Sequence, residues 1–330
     1  MIKVSVLVAV YNGEAYLRDC LDSLLGQTVR EIQVICIDDC STDGSLALLR
    51  NYATKDSRIE VLSLTENQGQ AHARNVGLTI AKGDYITFLD CDDWYAPDTL
   101  AQAIDVFERY PNTDTVLLDV MKCTGTPQSY KGEIYPMPTF EVLTGREAFN
   151  LSIDWTIHGV YISRKKLYER YPYDDSSHTY SDDNTTRLHY FISREVRHCK
   201  GVYFYRQNPQ SVTHHISVRR FDYLRANESM KQQLELLHVD DIILAQYETV
   251  RWRVLIDLYM FYYTHGKELL KEERVYGLSE IHRVWKDINR SLLDKHLICK
   301  FGYRPMAYWW MFRTQEWLYF TLRGWLGKNY

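Results

Sequence analysis

Three carboxylates crowd into four residues at Asp90-Cys91-Asp92-Asp93. Such a group repels itself, so it is either a solvated acidic turn or a cluster gathered by a cation. Hard divalent ions such as Mn²⁺ or Mg²⁺ take oxygen ligands and complete their shell with water and substrate phosphates. The cluster directly follows the strand-like run Tyr85–Leu89, and this position favours the cation. A second acidic stretch, Asp38-Asp39-Cys40-Ser41-Thr42-Asp43, follows another such run. One of its polar residues caps the next helix, and an Asp there also suits a ring N–H such as that of uracil. Arg74 sits on a third helical pattern, with a fork that fits either a diphosphate or a surface carboxylate.

The elements that must position these groups are legible in the periodicity. Strand runs at Val4–Val10, Ile32–Ile37, Ile59–Leu64, Tyr85–Leu89 and Val116–Val120 alternate with helical patterns at Glu14–Leu25, Leu46–Tyr52, Ala71–Ala81 and Leu100–Phe107. This alternation predicts an α/β fold with a mostly parallel sheet covered on both faces. Ligands of such sheets bind beyond the carboxyl ends of the strands, where the acidic clusters lie. Cys123–Pro138 reads as an irregular excursion, and Ile157–Ile162 and Val196–Tyr205 as further strands, the last broken by a turn at Lys200-Gly201. From Phe221 onward the pattern is helical: Tyr223–Leu237, Ile242–Tyr263, Leu278–Leu293 and Met306–Leu326. The expected organisation is a catalytic domain over 1–216 and a helical extension over 217–330.

Composition narrows the classes. A net charge of −4 gives no basic field for nucleic acid. Seven scattered cysteines without a CxxC pattern suit free thiols in a reducing compartment. No run of 18 apolar residues is present, and Met1–Val10 is too short for a secretory signal, so a cytoplasmic location is expected.

The segment Val4-Ser5-Val6-Leu7-Val8-Ala9-Val10-Tyr11-Asn12, then Tyr16-Leu17 and Cys20-Leu21-Asp22-Ser23-Leu24, resembles the opening of family-2 glycosyltransferases of the GT-A fold. Ile37-Asp38-Asp39-Cys40-Ser41-Thr42-Asp43, Ala73-Arg74-Asn75-Val76-Gly77, Gly83-Asp84-Tyr85-Ile86 and Phe88-Leu89-Asp90-Cys91-Asp92-Asp93 follow in the family's order. The resemblance is strongest over about residues 3–110 and absent beyond about 216. Ala9 stands where the family commonly has Pro, and Cys40 where Gly is usual.

The resemblance implies an inverting transfer of a sugar from a UDP-sugar to an acceptor hydroxyl, of the kind that builds bacterial surface polysaccharides. The backbone around Ala9 and Tyr11 and the Asp39 carboxylate would hold uracil. Arg74 would lie near the donor. Asp90 and Asp92 would form the DxD element that contacts ribose and a Mn²⁺ or Mg²⁺ ion, with Asp93 sharing the metal. Asp183 would be the general base and Asp182 its supporting acid. Arg206 and His214, in the segment after the base, would face the diphosphate or the metal. Trp94, Trp155, His158 and Tyr161 are candidates for contact with a saccharide or lipid-linked acceptor.

Rival classes are a metal-dependent nucleotidyltransferase and a non-catalytic sugar-nucleotide binding module. A nicotinamide dehydrogenase is excluded, because Tyr11-Asn12-Gly13-Glu14-Ala15 lacks the glycine-rich turn. From Lys295 onward the chain carries six Lys or Arg, one acid (Glu316) and four tryptophans. Two readings fit this segment: a membrane-interface helix on the inner face of the membrane, or a helix packed within the protein or a homodimer.

Overall fold

The structure is a computed structural model that describes residues 1–208, 216–298 and 303–326. The chain divides into two compact units, residues 1–213 and 214–330.

In the first unit the strand–helix alternation runs β1 (Val4–Val10), α1 (Leu17–Leu25), β2 (Ile32–Asp38), α2 (Ser45–Lys55), β3 (Ile59–Ser63), α3 (Gln70–Leu78) and β4 (Tyr85–Phe88). There follow β5 (Trp94–Tyr95), α4 (Thr99–Arg109), β6 (Thr113–Thr126), β7 (Ser129–Ile134), α5 (Gly145–Ile153), β8 (Tyr161–Arg164), α6 (Lys165–Arg170), α7 (Asp182–Ile192) and β9 (Glu195–Arg206). Among the described residues these strands form one sheet in the order β3-β2-β1-β4-β8-β6-β9-β5, with β7 paired to β6.

β1 and β2 read as unbroken apolar runs because both faces of the sheet are covered. Val4, Val6, Val8 and Val10 pack with Val34, Cys36, Leu21, Leu49 and Phe107 on one face. Leu7, Ile35 and Ile37 pack with Ala71, Ala73 and Tyr190 on the other. Removing either layer of helices would expose half of each strand's side chains.

Two local expectations are corrected, and the strand directions are filled in: β1, β2, β3 and β4 are parallel, as β6 is to β9, but β8 runs antiparallel to both β4 and β6, and β5 antiparallel to β9. Periodicity reports burial and carries no information on strand direction. The excursion at 123–138 is instead largely a hairpin, β6 continuing to Thr126 and returning as β7, which is exposed along its length. Its polar side chains hid it, since an edge strand in water need not alternate. Lys200-Gly201 is no turn: β9 runs through it, and the register against β6 slips between Leu117 and Asp119, so the extra residues form a bulge.

The second unit is helical: α8 (Asp222–Leu236), α9 (Asp241–His265), α10 (Lys271–Asp287), α11 (Lys295–Ile298) and α12 (Trp309–Trp325). Its core joins Phe221, Trp252, Tyr259, Ile281, Trp285, Phe312 and Phe320. Among the described residues no helix is long and apolar enough to cross a membrane.

Glu316, on the inner side of α12, is fully buried, and burial raises its carboxyl pKa to about 7 against the partial compensation of Tyr303 and Gln315. A carboxyl whose folded pKa lies above its unfolded value binds more protons when folded. Its burden is therefore absent below about pH 4.5, grows as pH rises to about 7, and is constant above. Glu316→Gln is expected to raise stability at pH 8 by roughly 1–3 kcal/mol and to flatten the fall between pH 5 and 7. Thermal melts across that range check it, and parallel curves for the two proteins would remove Glu316 as the cause.

Candidate active site

The first unit brings the acidic clusters to one rim, at the carboxyl ends of β1, β2 and β4. Leu89 N–H still bonds Leu7 C=O at 3.1 Å, so the chain leaves the sheet only at Asp90. Asp93 N–H returns to Asp90 C=O at 3.0 Å, closing a tight turn before β5. Asp93 points inward. Its carboxylate accepts the Tyr203 hydroxyl at 2.6 Å and the Arg206 backbone N–H at 2.7 Å, both from β9. Burial first, then Asp90 and Asp92, push its pKa well up. Asp93 thus anchors the turn to β9, with both of its carboxylate oxygens engaged there rather than turned to the rim.

Asp90 keeps a third of its side chain exposed and takes a 2.5 Å ion pair from Arg74. Asp92 is half-buried, and its pKa is raised by burial and by Asp90. Its carboxylate has a long contact to Asn208, 3.4 Å, and among the described residues no ion-pair partner within 4 Å. A cation beside Asp92 would relieve that desolvation and repulsion, so the donor set fits a divalent ion that takes most of its ligands from water and a diphosphate. Among the described residues no three His, Cys, Asp or Glu side chains form a ready-made metal cage. His214 lies outside the described residues.

Arg74 is the centre of the arrangement. Its guanidinium is buried, lies 4.3 Å from the Phe88 ring centroid, and reaches Asp90 on one side and Asp182 at 3.8 Å on the other. Gln70, one turn earlier on α3, donates to the same Asp182 oxygen at 2.8 Å. Two acidic clusters far apart in sequence therefore share one cation. Asp182 itself has a raised pKa, from burial first and Asp90 next, with Arg74 opposing. Asp183 follows it in the first turn of α7, half-buried. Of the two partners that its fork fits, a carboxylate or a diphosphate, the structure shows Arg74 on carboxylates.

Asp39 is buried at the end of β2, where its carboxylate accepts the backbone N–H groups of Gln68 and Gly69 at 2.9 and 2.8 Å. It therefore ties the loop before α3 to the base of the site. Gly69 has φ +92°, and a Cβ there would meet the His178 carbonyl at 2.6 Å, so the position requires glycine. Ala9 is half-buried and Tyr11 is exposed at the end of β1, on the same rim. Cys40, where the family usually has Gly, adopts φ +61°. This is the left-handed region that glycine enters without strain.

Other expected contacts fall elsewhere. Arg206 donates to the Asp92 and Gly125 carbonyls and to Asp19 at 2.6 Å, between the rings of Tyr16 and Trp94. Its nitrogens are committed to holding the rim together, so a diphosphate role is not carried forward. Trp94 is buried and stacked on Phe204, with centroids 5.1 Å apart. Tyr161 is core, and His158 is buried, its pKa lowered to about 4 by desolvation. These three offer no open face to an acceptor. Trp155 alone of the four stays half-exposed, stacked with Arg187 at 4.6 Å. Sequence reading missed Tyr203, Gln70 and Asp19; nothing in their local pattern distinguishes them from core or surface residues.

A sheet of this order, with carboxylates at the strand ends and a helix delivering two more, defines the GT-A class of nucleotide-sugar transferases. The glycosyl transferase family 2 model matches residues 5–176, just over half of the chain, and the protein belongs to that family. The glycosyltransferase EpsJ of Bacillus subtilis, itself uncharacterised, is 32% identical over 225 residues, 64% of this chain and 62% of EpsJ. The poly(ribitol-phosphate) β-N-acetylglucosaminyltransferase TarS of Staphylococcus aureus is 34% identical over 157 residues, 46% of this chain and 27% of TarS. Both relatives are thus spanned over less than two thirds of their length. Structures of TarS residues 1–349 match in fold, at 20% identity over 88% of this chain. The complex with UDP has a TM-score of 0.66 over 82% of its chain, and that with UDP-GlcNAc 0.67 over 83%.

Proposed function

We propose that the protein transfers a sugar from a UDP-sugar to a saccharide hydroxyl, with inversion, in the synthesis of a bacterial surface polysaccharide. The carrying observation is the Arg74 bridge, which brings the first turn of α7 beside the Asp90–Asp92 turn. One carboxylate group then faces the departing diphosphate while another faces the incoming hydroxyl. That the TarS fold has been crystallised with UDP and UDP-GlcNAc supports the donor class.

In this reading Asp39, with the backbone at Ala9 and Tyr11, borders the uracil. Asp92, with Asp90 beside it, would hold a Mn²⁺ or Mg²⁺ ion, whose positive charge would stabilise the leaving diphosphate. Asp183 accepts the acceptor hydroxyl's proton as that oxygen attacks the anomeric carbon. The bond to the diphosphate breaks on the opposite face, so configuration inverts and no covalent enzyme intermediate forms. Asp182, held by Arg74 and Gln70, fixes the turn that carries Asp183.

UDP is expected to bind at least tenfold more tightly with Mn²⁺ than with a chelator, and more tightly than GDP. Asp92→Asn should erase most of the metal's contribution. Calorimetric titration reads both, and equal UDP affinity with and without metal would sink the assignment. A nucleotidyltransferase would instead leave nucleotide on the acceptor, which mass spectrometry of the product distinguishes.

A further inference from the structure

The outer face of α12 carries large apolar side chains in solvent. Taking about 100° per residue, Trp310, Trp317, Leu318, Leu322 and Trp325 fall within an arc of about 140°, with only Met311, Thr314 and Thr321 between them. All five are exposed, Trp310 at 68% and Trp325 at 81%. The opposite side, through Phe312, Glu316 and Phe320, is buried in the core of the helical unit. An amphipathic helix normally turns its apolar face inward; this one has a second apolar face left over, larger than scattered surface residues explain.

The exposed charged residues that the segment itself sets beside that face are of one sign. Arg313 flanks the arc and is exposed, as is Arg304 just before the helix. The one acid from Lys295 to the chain end is Glu316, which is buried on the inner side. No carboxylate of the described segment therefore meets solvent beside the tryptophans. Indole rings flanked by guanidinium groups suit the headgroup zone, where the ring is half-wetted and the cation meets lipid phosphate. The 17-residue helix is too short and too interrupted to cross.

We propose that the exposed face of α12 docks the protein on an anionic lipid surface, lying in the interface rather than spanning it. The charge favours this occupant over a second copy of the chain, whose own α12 would bring like-charged arginines to the same contact.

The test is flotation of the full chain with vesicles of phosphatidylcholine alone or with phosphatidylglycerol. The parent is expected to float with the anionic vesicles at low salt and to be largely released by high salt. The variant Trp310→Ser/Trp317→Ser/Trp325→Ser should lose binding at least tenfold. Leu318→Gln/Leu322→Gln, a milder change to the same face, should lose it by several-fold with an unchanged melting curve. Arg304→Gln/Arg313→Gln should weaken only the salt-sensitive part. A parent that stays soluble with both vesicle types overturns the proposal. So do surface variants that bind like the parent, or variants that only convert a dimer to a monomer. No donor or acceptor enters the assay, so its failure leaves the transferase reading untouched.

Discussion

Asp183→Asn is expected to lower the transfer rate by ~10²–10⁴, the usual contribution of a positioned general base, while UDP-sugar affinity stays within a few-fold. The amide keeps the volume and the helix-start geometry but cannot take the acceptor's proton. The loss should therefore fall in kcat rather than KM, since the proposed donor site lies elsewhere on the rim. Asp182→Asn should act more weakly and differently. It removes the carboxylate that Arg74 and Gln70 hold, so the turn carrying Asp183 loosens without losing the base. Steady-state kinetics with the donor identified by nucleotide-sugar screening separate the two. If Asp183→Asn keeps more than about a tenth of the rate, the base is another group, and Asp182 is the next candidate.

The second large effect is on stability. Arg74→Met keeps much of the side chain's volume against Phe88 and Tyr173 but leaves Asp90 and Asp182 facing one another without their shared cation. Breaking a buried pair typically costs 3–5 kcal/mol. Asp90 remains a third exposed and water can screen it, so about 3 kcal/mol is expected, on the order of 10 °C in Tm. The sign with pH follows from Asp182, whose carboxyl is already raised by burial and would rise further without Arg74. A raised acid pKa penalises the folded state only above the unfolded value, so the deficit should shrink as pH falls from 8 toward 5. Arg74→Lys should recover part of the stability, as a point charge in place of a fork. Melts of the three proteins at two pH values decide the matter. A deficit under about 1 kcal/mol, or one that grows on acidification, would show that Arg74 does not hold the two clusters together.

By itself the sequence determined the local grammar of this protein. The doubly buried runs of β1 and β2, the helical periods between them and the acidic turns after β2 and β4 were all legible. Each depends on neighbours within a few residues, whose side chains must match a period or a turn. The family resemblance rested on the same local motifs. Strand direction beyond β4, the β6–β7 hairpin and the bulge in β9 were not legible. They are set by which strands meet across the sheet, and neither an exposed edge nor a slipped register leaves a period to read.

The roles of the charged residues divided in the same way. Asp90, Asp92 and Asp182 were recognisable as carboxylates at element ends. Only the tertiary structure decided that Arg74 bridges two of them, that Arg206 spends its nitrogens on carbonyls and Asp19, and that Asp93 turns inward to Tyr203. Sequence gives a residue's chemistry and its approximate place on an element. A guanidinium, however, serves whichever acceptors lie within about 3 Å. In this fold those acceptors come from the turn after β4, from α7, from β6 and from α1, segments that meet only after the sheet has closed.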